Sequence, residues 1–388
     1  MRRRAIGVWP LAGHATNERT SPRTAGAVAL IVAMSSAIAC STGTEGPVGG
    51  GEFVGEELIC DLNASLLADG GVGRDGIPAL DNPEFIPVEP LVSDNTYLRP
   101  DDRVIAVWEG GEWLVIPHNI MWRHEIVNLP EVTVTYCPLT GSALAFARLS
   151  VSGAEFGVSG LLYQANLVLY DRNEPDESLW PQMLAEARCG PRSGQPLTRV
   201  PLVEMTWDAW RTLHPDSKVV KLPTIFDRGL YMLNPYGNNY DNPDNADYLG
   251  FPIPLTDLRL PPKARVLGIP DTEGGPTAYA FQDMALSGAY GAFEFQYEGA
   301  PAVVFWDEVS QAAMAYRSIV SAQQTSFVAT DAGFEDQATG TVWAVDGTPV
   351  AGPLAGSGNR LRAISSAYVA FWGAWAAFHP GTELGIRE

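Results

Sequence analysis

A chain of 388 residues, 46% hydrophobic and 10% aromatic, has enough apolar side chain to bury one large core or two ordinary ones, which argues against a disordered chain. Its formal charge is −20 and becomes more negative once the arginine-rich first 39 residues are set aside; such a surface repels phosphate backbones and anionic lipid, so nucleic acid is not expected as a partner. The 39 glycines and 30 prolines favour many short elements joined by turns over long helices.

Residues 1–39 read as a signal peptide. Arg2, Arg3, Arg4, Arg19 and Arg23 form a basic region, and Ala25 to Ala39 is an apolar run of small residues too short to span a bilayer comfortably. The run ends in Ala37-Ile38-Ala39-Cys40, which resembles a bacterial lipobox with alanine in place of the usual leucine. Cys40 is then the lipidation site, and residues 40–55, with STGTEGPVGGG, form a flexible tether to a membrane. Ordinary secretory cleavage is the alternative; either way the protein is expected to be exported to the cell envelope.

After the tether, GGVGRDGIPALDNP contains Gly71, Gly73 and Gly76 at G-x-G-x-x-G spacing, but Pro78 follows where a nucleotide fingerprint needs a helix. These glycines read as turn formers. From Phe85 onward the chain aligns with itself. Leu98 to Ile105 matches Leu260 to Leu267, EVTVTYCPLTGSALAF matches PAVVFWDEVSQAAMAY, and WDAWRTLHP matches WGAWAAFHP, in that order. We read this as an internal duplication. The expected fold is α+β, mainly β, with two similar β-rich lobes carrying short helices. Residues 56–222 hold an N-terminal arm and the first lobe, 223–250 a crossing loop, and 251–388 a second, degenerate lobe.

Within each copy a strand with a glycine turn suggests a hairpin, followed by a short helical stretch and an alternating strand. In the first copy Val132, Val134 and Tyr136 share one face of that strand, and Thr133, Thr135 and Cys137 the other. Pro138 cannot join a ladder, which puts Cys137 at the strand end. Thr206 is the expected cap of a closing helix whose Trp207, Trp210 and Leu213 point to the core. Asp241, Asp244 and Asp247 in the crossing loop lack the glycine and terminal glutamate of an EF-hand and read as a solvated turn.

The segments GVGRDGIPALDNPEF, HEIVN, TYCPLTGSALAF, FGVSGLLYQANLVLYDR, SLWPQM and PYG resemble the DUF3179 family of exported bacterial proteins, from about Asp69 to the C-terminus. The family name records no assigned activity. Its pattern CPLCG has a second cysteine where this chain has Thr140, so the resemblance implies no C-x-x-C metal knuckle or redox pair here.

His118, His124 and Cys137 concentrate the chemistry-bearing side chains in one stretch, and the second copy keeps neither His124 nor Cys137. Residues matched in both copies, His214 and His379 among them, read as structural. Three readings follow. The leading one is a ligand- or metal-binding site in the first lobe, with His124, Glu125 and Cys137 for zinc or copper and with Glu125, Asn128, Ser159 and Tyr163 on its walls. The second is a thiol enzyme with Cys137 as nucleophile and His124 as base. The third is a structural protein in which Cys137 is a buried small hydrophobe and His124 a hydrogen-bonded core residue. Cys60 and Cys189 remain as a candidate disulfide in an oxidising compartment.

Overall fold

The computed structural model describes residues 60–386 except positions 93 and 174. The expected signal peptide, Cys40 and the tether lie outside the described residues. The fold is mainly β, with four short α-helices among the described residues: α1 (His118–His124), α2 (Trp207–Leu213), α3 (Phe281–Leu286) and α4 (Trp372–Phe378). No helix among these residues is long and apolar enough to cross a membrane.

Continuous apolar runs on either side of the Gly110-Gly111 turn, buried on both faces, build the hairpin Arg103–Glu109 and Glu112–Pro117. The first strand pairs antiparallel with Leu202–Thr206, and the second pairs parallel with Lys218–Val220. The same order recurs downstream. Arg265–Ile269 pairs antiparallel with Thr277–Ala280 and with Tyr368–Phe371, and Thr277–Ala280 pairs parallel with Glu383–Leu384. Registers also correspond: Val104 faces Met205 as Val266 faces Ala370. In the next hairpins Tyr136 faces Ala143 and Trp306 faces Ala313.

Each half completes the other. At the end of one strand the Thr206 N–H donates to the Ser310 carbonyl at 2.9 Å, and at the end of its counterpart the Phe371 N–H donates to the Thr140 carbonyl at 2.8 Å. The apolar clusters cross in the same way. One joins Val104, Val115, Trp207 and Trp210 to Phe305, Tyr316 and Trp343; another joins Leu144, Phe146 and Trp180 to Val266, Trp372 and Trp375. Enclosing each such side chain contributes roughly 1.5–3 kcal/mol before the cost of ordering it. Helices α2 and α4 follow directly from strands that these clusters hold, and their tryptophans lie at core spacing, as Trp207 and Trp210 are 1% and 0% exposed. Thr206 precedes α2 but its hydroxyl makes no capping bond. A disulfide joins Cys60 to Cys189 and ties the N-terminal arm to the first half.

Candidate functional site

Helix α1 begins after Pro117 and buries His118, Ile120, Met121 and His124. It stops at Glu125, which takes the left-handed conformation (φ 55°) while its N–H bonds the Met121 carbonyl at 2.9 Å. A non-glycine residue there costs on the order of 1 kcal/mol, sustained by the strand Ile126–Asn128 that starts at the next position. That strand lies beside Val132–Cys137, so the helix end and Cys137 come to neighbouring strands.

The imidazole of His124 nevertheless turns elsewhere. Its Nδ1–H donates to the Pro78 carbonyl at 2.7 Å, and its Nε2 accepts from the Tyr231 hydroxyl at 2.9 Å. Burial holds it below the usual histidine range. Cys137 is 1% exposed, its Sγ 3.7 Å from the Ala165 carbonyl. Burial, with Glu125 adding to it, pushes the thiol up to about 11. Glu125 is itself pushed up to about 8 by burial, so near neutral pH it is a neutral acid beside a neutral thiol. His124, Glu125 and Cys137 do not assemble as zinc or copper ligands: among the described residues no group of three or more His, Cys, Asp or Glu side chains is arranged to hold a metal. Nor does His124 reach Cys137 as a base, since both its nitrogens are engaged.

The remaining expected wall residues serve the framework. Asn128 accepts from the Thr133 hydroxyl and the Phe156 N–H and donates to Asp81 and to the Phe156 carbonyl. Ser159 donates to the Val168 carbonyl at 2.6 Å, within the hairpin it belongs to. Tyr163 packs edge-on against Phe378. Thr140, where the resembled pattern has cysteine, shares a buried network with Ser142, Asn166 and Gln182. Two motif glycines mark close approaches: a Cβ on Gly141 (φ 60°) would meet the Phe371 ring at 2.9 Å, and one on Gly160 (φ 83°) would meet the Gly73 backbone at 2.6 Å.

The unsatisfied chemistry lies on the other side of α1, in a cavity of about 260 Å³ lined by Arg103, His118, Tyr136, Tyr236, Asp241 and Arg265, among others. Arg103 and Arg265 are the matched positions of the two hairpins, so the cavity draws one arginine from each half. Arg103 donates through Nη1 to the Gln311 carbonyl at 2.8 Å, but its Nε and Nη2 are buried without a partner, Nε lying 3.9 Å from Glu204. Burial and the neighbouring Arg265 push its guanidinium down to about 10. Arg265 is more open and has Asp241 at 3.9 Å.

Behind them, His118 donates from Nε2 to Glu204 Oε1 at 2.9 Å, while its Nδ1 has no hydrogen bond among the described residues. Burial keeps the ring below the usual histidine range in spite of Glu204. Burial opposes charge on Glu204 as well, but the bond from His118 and the nearby Arg103 win, leaving it a carboxylate. Tyr136 stacks on His118 with ring centres 4.3 Å apart. A larger cavity of about 580 Å³ flanks α2, but among the described residues no buried unpartnered charge lines it, and its Ser310 hydroxyl already bonds Asp307 at 2.7 Å.

Residues 74–382 match the family model described as "Protein of unknown function (DUF3179)". The chain belongs to the DUF3179 family. No match was found among curated proteins or among solved structures. In this DUF3179 chain the motif residues quoted above, CPLTG, HEIVN and FGVSG, mostly build the framework. The cavity uses residues that the sequence marks more faintly: His118 stands in the motif-rich stretch, Tyr136 on a strand face, and Arg103 and Arg265 within segments matched between the two copies. The signal for Glu204 was a charged residue within the apolar strand LVEMT.

Proposed function

We propose that this DUF3179 chain is an exported binding protein that takes the anionic end of a small molecule between Arg103 and Arg265. The observation that carries the reading is the buried guanidinium of Arg103, two of whose nitrogens lack a partner, beside a second guanidinium at a cavity wall. Buried donor nitrogens left without hydrogen bonds are costly, and a carboxylate or phosphoryl oxygen is the natural complement to a guanidinium edge. The volume falls below the roughly 300–1,000 Å³ of sites for drug-sized ligands, which favours a small molecule.

Export to the cell envelope and anchoring through Cys40 belong to the same proposal. The lipobox-like sequence supports them, as does the Cys60–Cys189 disulfide, a bond that persists in oxidising compartments. Membrane fractionation of the native protein and Cys40→Ser tests the anchor: the variant is expected in the soluble fraction or stalled in processing, and unchanged partitioning overturns it. Calorimetric titration with propionate, succinate and inorganic phosphate tests the site. At least one should bind, and Arg265→Gln should abolish that binding; no binding to the native protein, or binding indifferent to the substitution, overturns the reading.

A further inference from the structure

Charge around the cavity is sorted by depth. Arg103 retains only 11% of its side-chain exposure and Arg265 27%, whereas Asp241 is 52% exposed and Asp101 is also open to solvent. Two of the cavity's three carboxylates, Asp101 and Asp241, therefore stand at the mouth, while Asp102 is half-buried beside Arg103. A ligand with only a negative charge would have to pass and then sit beside these carboxylates, at a Coulombic cost that grows as the cavity excludes water. The unused hydrogen-bonding capacity is of both kinds as well. Arg103 has two unpartnered donor nitrogens, while Arg265 and Asp241 face each other as an ion pair at 3.9 Å, too long for a hydrogen bond between them.

We infer that the ligand is a zwitterion of the α-amino acid type, its carboxylate held by Arg265 and Arg103 and its ammonium by Asp241. This rests on the anion-binding reading above and narrows it. The separation between Arg265 Nη2 and Asp241 Oδ2 is 3.9 Å, so a molecule that engages both must carry its two charges close together. An α-amino acid does so, because one carbon bears both groups; an ω-amino acid does not. Trp122, Tyr236 and Tyr240 supply an aromatic wall to the same cavity, which suits an apolar or aromatic side chain and adds cation–π attraction for the ammonium.

Calorimetry with L-phenylalanine, 3-phenylpropionate and phenethylamine separates the possibilities. 3-Phenylpropionate keeps the ring and carboxylate without the ammonium, and phenethylamine keeps the ring and ammonium without the carboxylate. L-Phenylalanine should bind roughly ten-fold or more tightly than either, the effect of one charge-assisted contact. Asp241→Asn, a change at an exposed position, should bring L-phenylalanine down to the affinity of 3-phenylpropionate. If 3-phenylpropionate binds the native protein as well as L-phenylalanine does, the zwitterion inference falls and the anion site stands. If phenethylamine binds best, both fall; if none of the three binds, the zwitterion inference falls, and the titrations with propionate, succinate and phosphate decide the anion site.

Discussion

Glu125→Gln isolates one buried acid whose ionisation the fold opposes. The folded carboxyl is pushed up from 4.5 to about 8 by burial alone, with the side chain 7% exposed. Because the folded value lies above the unfolded one, the native state holds a proton that the unfolded state releases. Stability is therefore greatest below the unfolded pKa, declines as pH rises towards the folded pKa, and levels off above it. At about 1.4 kcal/mol per pH unit, the full window corresponds to a loss on the order of 5 kcal/mol. Glutamine has the same shape and no charge to expose, so the variant lacks this decline. Urea unfolding of both proteins at pH 5, 6.5 and 8.5 gives the test as a difference between them. Groups such as His118 and His124, which burial pushes in the opposite sense, titrate in both proteins and cancel. The variant should match the native protein near pH 5 and exceed it by several kcal/mol, up to about 4, at pH 8.5. A stability difference that does not change with pH would refute the reasoning.

Two further outcomes follow from the same region. Cys137, buried with its thiol pushed up to about 11, should react slowly with a disulfide reagent at pH 7.5 and rapidly once unfolded; fast stoichiometric labelling of the native protein would revive a thiol-nucleophile role. Gly141→Ala places a Cβ 2.9 Å from the Phe371 ring at a φ of 60°, and should cost about 1–3 kcal/mol in chemical denaturation; an unchanged midpoint would show that the turn and the ring shift freely.

Local patterns in the sequence translate well where local physics decides. The strand Val132–Cys137 ends before Pro138 as the missing donor requires, and its faces separate as alternation implies: Val132, Val134 and Tyr136 join one apolar cluster and Cys137 another. The short helix expected before it is present as α1, which ends at His124, while Asn128 lies in a strand of its own. The site was less legible, for a non-local reason. His124 and Cys137 were linked by proximity along the chain and by chemical type, yet His124 is claimed by Pro78 and Tyr231, whose approach no local pattern announces. Arg103 and Arg265 are visible in the sequence only as matched positions of the two copies, and nothing local marks them as meeting. Where the two halves interlock, Arg103 and Arg265 come to one cavity that neither half lines alone. Glu204 is similar: only the pairing of Leu202–Thr206 with Arg103–Glu109 brings it to His118 and Arg103.

The most direct test of the anion site reads the orphaned donor itself. In nitrogen-15 side-chain spectra of the arginines, titration with propionate should shift and sharpen the Nε–H of Arg103, as its unpartnered edge gains a carboxylate and exchanges more slowly with water. The Arg265 signal should move with the same saturation, and the Arg103 response should vanish in Arg265→Gln. An Arg103 signal that stays fixed while exposed arginines shift would contradict the account, because the anion would then be bound on the surface and not in the cavity.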